Sequence, residues 1–171
     1  IAWLEQQGIA YDVITDVELD AEGVALLGPY RAVTTGTHPE YHTGAMLDAL
    51  ETYRDNGGRL MYLGGNGFYW KVARHKEVPA AIEIRRGEGG IRAWAAEAGE
   101  YYNAFDGEYG GLWRRNGRPP QRLAGVGFTA QGNFVGSHYR QLPGARTSRA
   151  AWILEGIKEG ELIGGFGLSG H

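Results

Sequence analysis

Cysteine is absent from the 171 residues. That excludes disulfides, thiolate metal sites and a cysteine nucleophile within the chain. Serine is scarce: Ser137, Ser148 and Ser169 are the only ones, and none stands at a strand-to-helix turn of the kind that exposes a nucleophilic serine. Long apolar runs are missing as well, since none approaches the roughly 20 residues a spanning helix needs. Nor is there a surplus of positive charge. The formal net charge is −3, so no broad basic surface calls for nucleic acid or an anionic membrane. Together these absences predict a cytoplasmic protein with neither nucleic acid nor membrane as a partner.

What is abundant is glycine, 29 residues, beside 12% aromatic residues in a chain that is 43% apolar. Many glycines among many aromatics predict tight turns and close backbone approaches in a folded domain. The length suits a sizeable core, and the chain reads as a single α/β domain over 1–171.

Periodicity divides that domain. Ile1 to Gln7 reads as the end of a helix stopped by Gly8. A strand is expected at about 11–14, a short turn or helix at 24–27, and a strand at 32–35. Met46, Leu47, Leu50 and Tyr53 recur at helical spacing, which predicts a helix from about Thr43, its cap, to Asp55. Arg59 to Leu63 reads as a strand running into Gly64-Gly65-Asn66-Gly67, and Phe68 to Val72 as the start of a short helix. A strand over 80–86 alternates Ile82 and Ile84 with Glu83 and Arg85, as near a sheet edge. This order predicts a parallel, doubly wound sheet with helices on both faces. Residues 87–143, rich in Gly, Tyr, Trp and Arg, read as a long ordered insertion, because linkers are poor in aromatics. A last helix is expected over 146–158, burying Trp152, Ile153 and Ile157, with a closing strand or turn at 162–167.

Ligands of open α/β sheets bind at the carboxyl ends of strands. Two such ends are polar or glycine-rich: Thr35-Gly36-Thr37-His38-Pro39-Glu40-Tyr41-His42 and Gly64-Gly65-Asn66-Gly67. If the two strands are neighbours, both loops open onto one crevice. Pro39 biases His38 toward an extended backbone, where side chains two residues apart share a side. His38 and Glu40 can then offer a nitrogen and an oxygen to a metal. The same pair suits a general base oriented by a carboxylate, or an exposed loop whose Glu40 caps the next helix. His42 reads as a residue of the helix start, with a third ligand as the rival role. Asn66 sits where a nucleophile elbow would place its nucleophile. Its amide can donate to a carbonyl oxygen or hold a water, unless the turn serves a phosphate or simple packing.

Other groups carry weaker signals. Arg85 and Arg86 can meet an anion but more simply end a solvated strand. His75 lies in a charge cluster that reads as surface. Trp94, Tyr101, Tyr102 and Trp113 can line an apolar pocket, although aromatics more often fill cores. His138 and His171 have no suggestive neighbours.

Taken together, Thr35–His42, the run from Tyr62 through Asn66 to Trp70, and Ile82-Glu83-Ile84-Arg85-Arg86-Gly87-Glu88-Gly89-Gly90 resemble the large subunit of the N,N-dimethylformamidases. Weaker similarity continues through Ala151-Trp152-Ile153 to Gly164-Gly165-Phe166-Gly167. The resemblance implies a flavodoxin-like domain of the class I glutamine amidotransferase type with its usual cysteine gone. Asn66 falls at the nucleophile's place, and Phe68 stands where a second glycine is expected. It also implies a mononuclear ferric iron held by a tyrosine, a histidine and a glutamate. His38 matches the histidine and Glu40 the glutamate, while the tyrosine lies upstream and matches none here. The chain is therefore expected to be a fragment of a larger subunit, which pairs with a small helical one. The implied reaction is hydrolysis of small N-substituted amides, with Glu40 and Asn66 orienting water or the oxyanion. N,N-dimethylformamide would give formate and dimethylamine. Two alternatives stay open: a non-catalytic amidotransferase-like binding domain, and a hydrolase using His38 and Glu40 without metal.

Overall fold

The computed structural model describes residues 1–36, 38–78, 80–86, 100–127, 138–149 and 151–164. The chain forms two compact units, Ile1–Phe128 and Thr129–His171.

The first unit opens with three short helices, α1 (Ala2–Gln6), α2 (Asp16–Glu22) and α3 (Val24–Leu27). Gly8, at φ +66°, turns the chain out of α1 as expected. Thr15 starts α2 with a reciprocal cap, its hydroxyl taking the Glu18 N–H while the Glu18 carboxylate takes the Thr15 N–H. That cap follows directly on 11–14, and the expected strand there does not form. Val13 is exposed, and the polar side chains of this stretch bond other side chains, Tyr11 to Glu5 and Asp12 to Tyr30.

Strand β1 (Ala32–Thr34), strand β2 (Tyr41–His42), helix α4 (Gly44–Asp55) and strand β3 (Arg59–Met61) follow. Helix α4 is the organising element. Thr43 caps it, its hydroxyl receiving the Met46 N–H at 3.2 Å and donating to Asp20 on α2. The stripe Met46, Leu47, Ala49, Leu50 and Tyr53 packs with Leu19, Leu27, Phe68, Trp113 and Leu123 into the core. Gly58 admits the close approach that ends this turn, for a Cβ there would stand 2.4 Å from the Tyr53 ring.

Strands β1 and β3 pair in parallel, Ala32 with Arg59, Val33 with Leu60 and Thr34 with Met61. The pairing persists beyond both strands, through Thr35 N–H to the Met61 carbonyl (3.0 Å) and Leu63 N–H to the Thr35 hydroxyl (3.3 Å). A second sheet has the order β2, β4 (Trp70–Arg74), β5 (Ile82–Ile84). Strand β2 runs parallel to β4, and β5 antiparallel to it. The fold is thus mixed α/β, with one parallel pair and one mixed three-stranded sheet among the described residues.

The short helix expected at 68–72 is strand β4 instead. Its aromatic and β-branched residues suit a pleated, buried surface. Its backbone also finds partners far along the chain. Leu112 forms a bridge with Trp70, Lys71 N–H bonds the Gly111 carbonyl, and Trp113 N–H bonds the Tyr69 carbonyl. The described part of the expected insertion is therefore ordered, and Leu112 and Trp113 belong to the interior. Helix α5 (Pro120–Ala124) lies within it, opened by prolines and closed by Gly125 at φ +76°. Residues 87–99 and 128–137 of the insertion lie outside the described residues.

In the second unit the helix expected over 146–158 is replaced by turns and a single 3-10 turn, Ala151–Leu154. Thr147 and Ser148 turn their hydroxyls back on the Gly144 and Ala145 carbonyls, and Gly156 takes a left-handed φ of +84°. Both choices compete with helix. Trp152 and Ile153, expected to be buried, are exposed. Within the described part of the closing segment Ile163 pairs opposite Tyr139, and 165–171 lie outside the described residues.

Candidate active site

Parallel pairing of β1 with β3 sends both chains out of the sheet in the same direction. The loop after β1 carries His38 and Glu40, and the loop after β3 carries Asn66. Backbone bonds then hold the loops together: Phe68 N–H donates to the Pro39 carbonyl at 2.7 Å, and the Tyr69 and Trp70 N–H groups donate to the Glu40 carbonyl at 3.0 and 2.8 Å. The juxtaposition read from the strand order is present.

The local shape of the first loop differs from the expectation. Glu40 N–H donates to the His38 carbonyl at 2.8 Å, closing a three-residue turn over Pro39. The fixed φ of proline suits the centre of such a turn. His38 and Glu40 therefore leave a tight turn, not an extended segment. His38 is exposed and Glu40 half-buried. Thr37 lies outside the described residues.

The second loop is not a nucleophile elbow in its backbone. An elbow strains its central residue and continues into a helix. Here the non-glycine residue at positive φ is Phe68, at +54°, two places after Asn66, and the chain continues into strand β4. Phe68 tolerates this because its ring is locked, 1% exposed, between His42 (centroids 4.9 Å apart) and Tyr62 (5.5 Å). Asn66 is half-buried, and its Oδ1 is buried with no hydrogen-bond partner. A buried acceptor left unpaired costs about 1–3 kcal/mol.

His42 is a packed residue of the helix start. It is 4% exposed, its carbonyl takes the Trp113 indole N–H at 3.0 Å, and its Nδ1 has no partner. Burial pushes its pKa down to about 4, so the ring is neutral at pH 7. Among the described residues, no group of three or more His, Cys, Asp or Glu side chains is arranged to hold a metal ion.

The weaker candidates resolve into structure. Arg85 is engaged by Glu83 (2.6 Å) and Glu100 (2.9 Å), and Arg86 lies over the Trp70 ring at 4.7 Å. His75 Nδ1 accepts the Glu77 and Val78 N–H groups, both at 3.1 Å, and so shapes a turn. Trp113 is core, while Tyr102 is exposed and stacks edge-on with Tyr109. His138 contacts the Gly164 carbonyl. Trp94 and His171 lie outside the described residues. A cleft of about 260 Å³ lies at the opposite ends of β1 and β3, lined by Tyr30, Arg31, Tyr53 and Arg59. No carboxylate or imidazole lines it, so it is not the chemical centre.

Sequence reasoning passed over two features. Tyr62 packs directly beneath the Asn66 turn. Lys71 is 3% exposed, ion-paired with Glu108, and lies 5.6 Å over the Trp113 ring. Tyr62 had one legible signal, the glycine at 67: a Cβ there would stand 2.5 Å from the tyrosine ring.

The family described as N,N-dimethylformamidase beta subunit-like, C-terminal, matches residues 1–171. The chain belongs to that family. Two curated relatives named N,N-dimethylformamidase beta subunit, from Paracoccus aminophilus and Alcaligenes sp, are each 44% identical over 170 residues. The match takes in 99% of this chain and 22% of each relative. This member of the N,N-dimethylformamidase beta subunit-like family thus spans about a fifth of the length of the relatives it matches, and it contains both juxtaposed loops.

Proposed function

We propose that the chain carries part of the catalytic centre of an amide hydrolase. Its substrates would be N,N-dimethylformamide and similar small N-substituted amides, and the rest of a larger subunit would complete the centre. The observation that carries this reading is the stitching of the His38–Glu40 turn to the Phe68–Trp70 segment, which holds an imidazole, a carboxylate and an unpartnered amide oxygen at one end of a parallel strand pair. The names of the relatives support the substrate class.

An imidazole nitrogen and a carboxylate oxygen together are a donor set that iron accepts. His38 and Glu40 would hold the ion, with a tyrosine from elsewhere in the subunit as third ligand. A ferric ion bound there supplies Lewis acidity to the amide carbonyl and to water. The chain's own groups do the rest. Asn66 Oδ1 accepts a hydrogen bond from the attacking water and so fixes its lone pair, and Asn66 Nδ2 donates to the oxygen that gains charge as the carbonyl carbon becomes tetrahedral. Glu40 takes the proton that water gives up and returns it to the departing nitrogen. The C–N bond then breaks, so that amide and water become formate and dimethylamine.

The same reading makes β1, α4 and β3 one βαβ unit of a wider parallel sheet of the flavodoxin type, its further strands supplied by the rest of the subunit. A small helical subunit completes the assembly. A cytoplasmic setting agrees with the lack of cysteine. The test is mutation in the complete enzyme: His38→Ala and Glu40→Ala each abolish iron binding and hydrolysis. Activity retained in either variant overturns the proposal.

A further inference from the structure

We propose that Tyr62 is a positioning residue for the Asn66 turn, its hydroxyl holding the residue before Asn66 and its ring the residue after it. The inference rests on the role given to Asn66 above and adds the group through which the fold holds it. Tyr62 follows β3 directly, and its side chain reaches forward under the loop. The hydroxyl donates to the Gly65 carbonyl, and the ring lies against Gly67. Asn66 lies between these two anchors, so one side chain spans the turn. The ring does a second job. It occupies the space where a Gly67 Cβ would lie, with the nearest ring atom at 2.5 Å. Its other contact is the Phe68 ring, centroids 5.5 Å apart.

Phe68 is held in a left-handed conformation that side chains with a Cβ rarely adopt. That conformation persists only where packing fixes it. Tyr62 and His42 supply that packing. The backbone seam anchors this stretch at its Phe68 end, and before it the Tyr62 hydroxyl fixes Gly65 while the ring fixes Gly67 and Phe68. Asn66 Oδ1 is buried and has no hydrogen-bond partner among the described residues. The aim of that amide follows from the backbone, and the backbone follows Tyr62.

The experiment uses the complete enzyme, with Tyr62→Phe, Asn66→Ala and the double variant. Tyr62→Phe keeps the ring contacts and deletes only the hydroxyl. The expected result is a kcat lowered by about 5- to 20-fold with KM changed by less than about twofold, the pattern of a misaimed group acting in the transition state. Iron content stays unchanged, and amide exchange at Gly65 to Phe68 accelerates by about 5- to 10-fold. In the Asn66→Ala background, Tyr62→Phe lowers kcat by less than about twofold further, because its effect passes through Asn66. Full additivity of the two substitutions overturns the proposal, as does an unchanged kcat with unchanged exchange. If Asn66→Ala alone keeps full activity, the catalytic role of Asn66 fails, and exchange then decides on Tyr62 alone: faster exchange over Gly65 to Phe68 supports the clamp, and unchanged exchange overturns it.

Discussion

The Trp70 N–H donates to the Glu40 carbonyl at 2.8 Å, and that bond closes a purely backbone seam between the two loops of the candidate centre. Because no side chain takes part, the seam is independent of the groups it presents. Slow amide exchange is expected at Phe68, Tyr69 and Trp70, and it persists in His38→Ala. Hydrogen-exchange mass spectrometry checks this. Rapid exchange at these amides, or exchange that speeds up when only the imidazole is removed, would show that side chains or their ligand hold the loops together.

Asn66→Ala tests the Asn66 amide, whose Nδ2 is the donor to the oxyanion in the proposed reaction. Loss of a donor to a developing oxyanion lowers kcat by about 10²–10³-fold. The substituted protein keeps its fold, since Asn66 is half-buried and its Oδ1 bonds nothing. Steady-state kinetics on the complete enzyme, beside a melting curve, separates the two effects. A kcat within about threefold of the parent would remove Asn66 from the chemistry.

His42 makes stability depend on pH. Its folded pKa lies at about 4, below the ordinary 6.5, so the folded state keeps the ring neutral while the unfolded chain takes up a proton below pH 6.5. The unfolded state binds more protons in that window, and stability falls as pH drops from 6.5 toward 4. The loss is on the order of 3 kcal/mol when complete. Urea unfolding at pH 7 and pH 5 measures the slope. His42→Phe should flatten it, and an unaltered slope in that variant would assign the effect to other groups.

Much of the framework was legible in the sequence, and the reason is local. Thr43 and the stripe from Met46 to Tyr53 specify α4 by capping and period alone, and β1, β3 and β5 follow from short apolar runs bounded by glycine or charge. The meeting of the two loops was legible too, because a strand–helix–strand order implies parallel neighbours whose carboxyl ends coincide. What escaped depended on distant partners. Phe68 to Val72 has no intrinsic mark that separates helix from strand, and its strand state is decided by Glu40 and by Gly111 to Trp113. The left-handed Phe68 is imposed by the His42 and Tyr62 rings, a circumstance no window of sequence contains. At Pro39 a proline that favours extended neighbours was read without its other talent, the three-residue turn. In the second unit, residues of fair helical period were overruled by hydroxyl-to-backbone bonds and Gly156.

Leu50→Ala probes the core that positions both loops. Leu50 is 3% exposed in the middle of the α4 stripe, and truncating it should cost about 2–5 kcal/mol, from lost burial and the cavity left behind. Chemical denaturation of the chain reports the shift in midpoint. A cost under about 1 kcal/mol would mean that α4 is not the element on which this unit is built.

The central claim is that His38 and Glu40 are metal ligands of a hydrolytic centre completed by the rest of the subunit. Elemental analysis of the purified complete subunit, parent and His38→Ala, tests it most directly. The account predicts about one iron per parent subunit and its loss from the variant. Iron retained at the parent level in His38→Ala would contradict it.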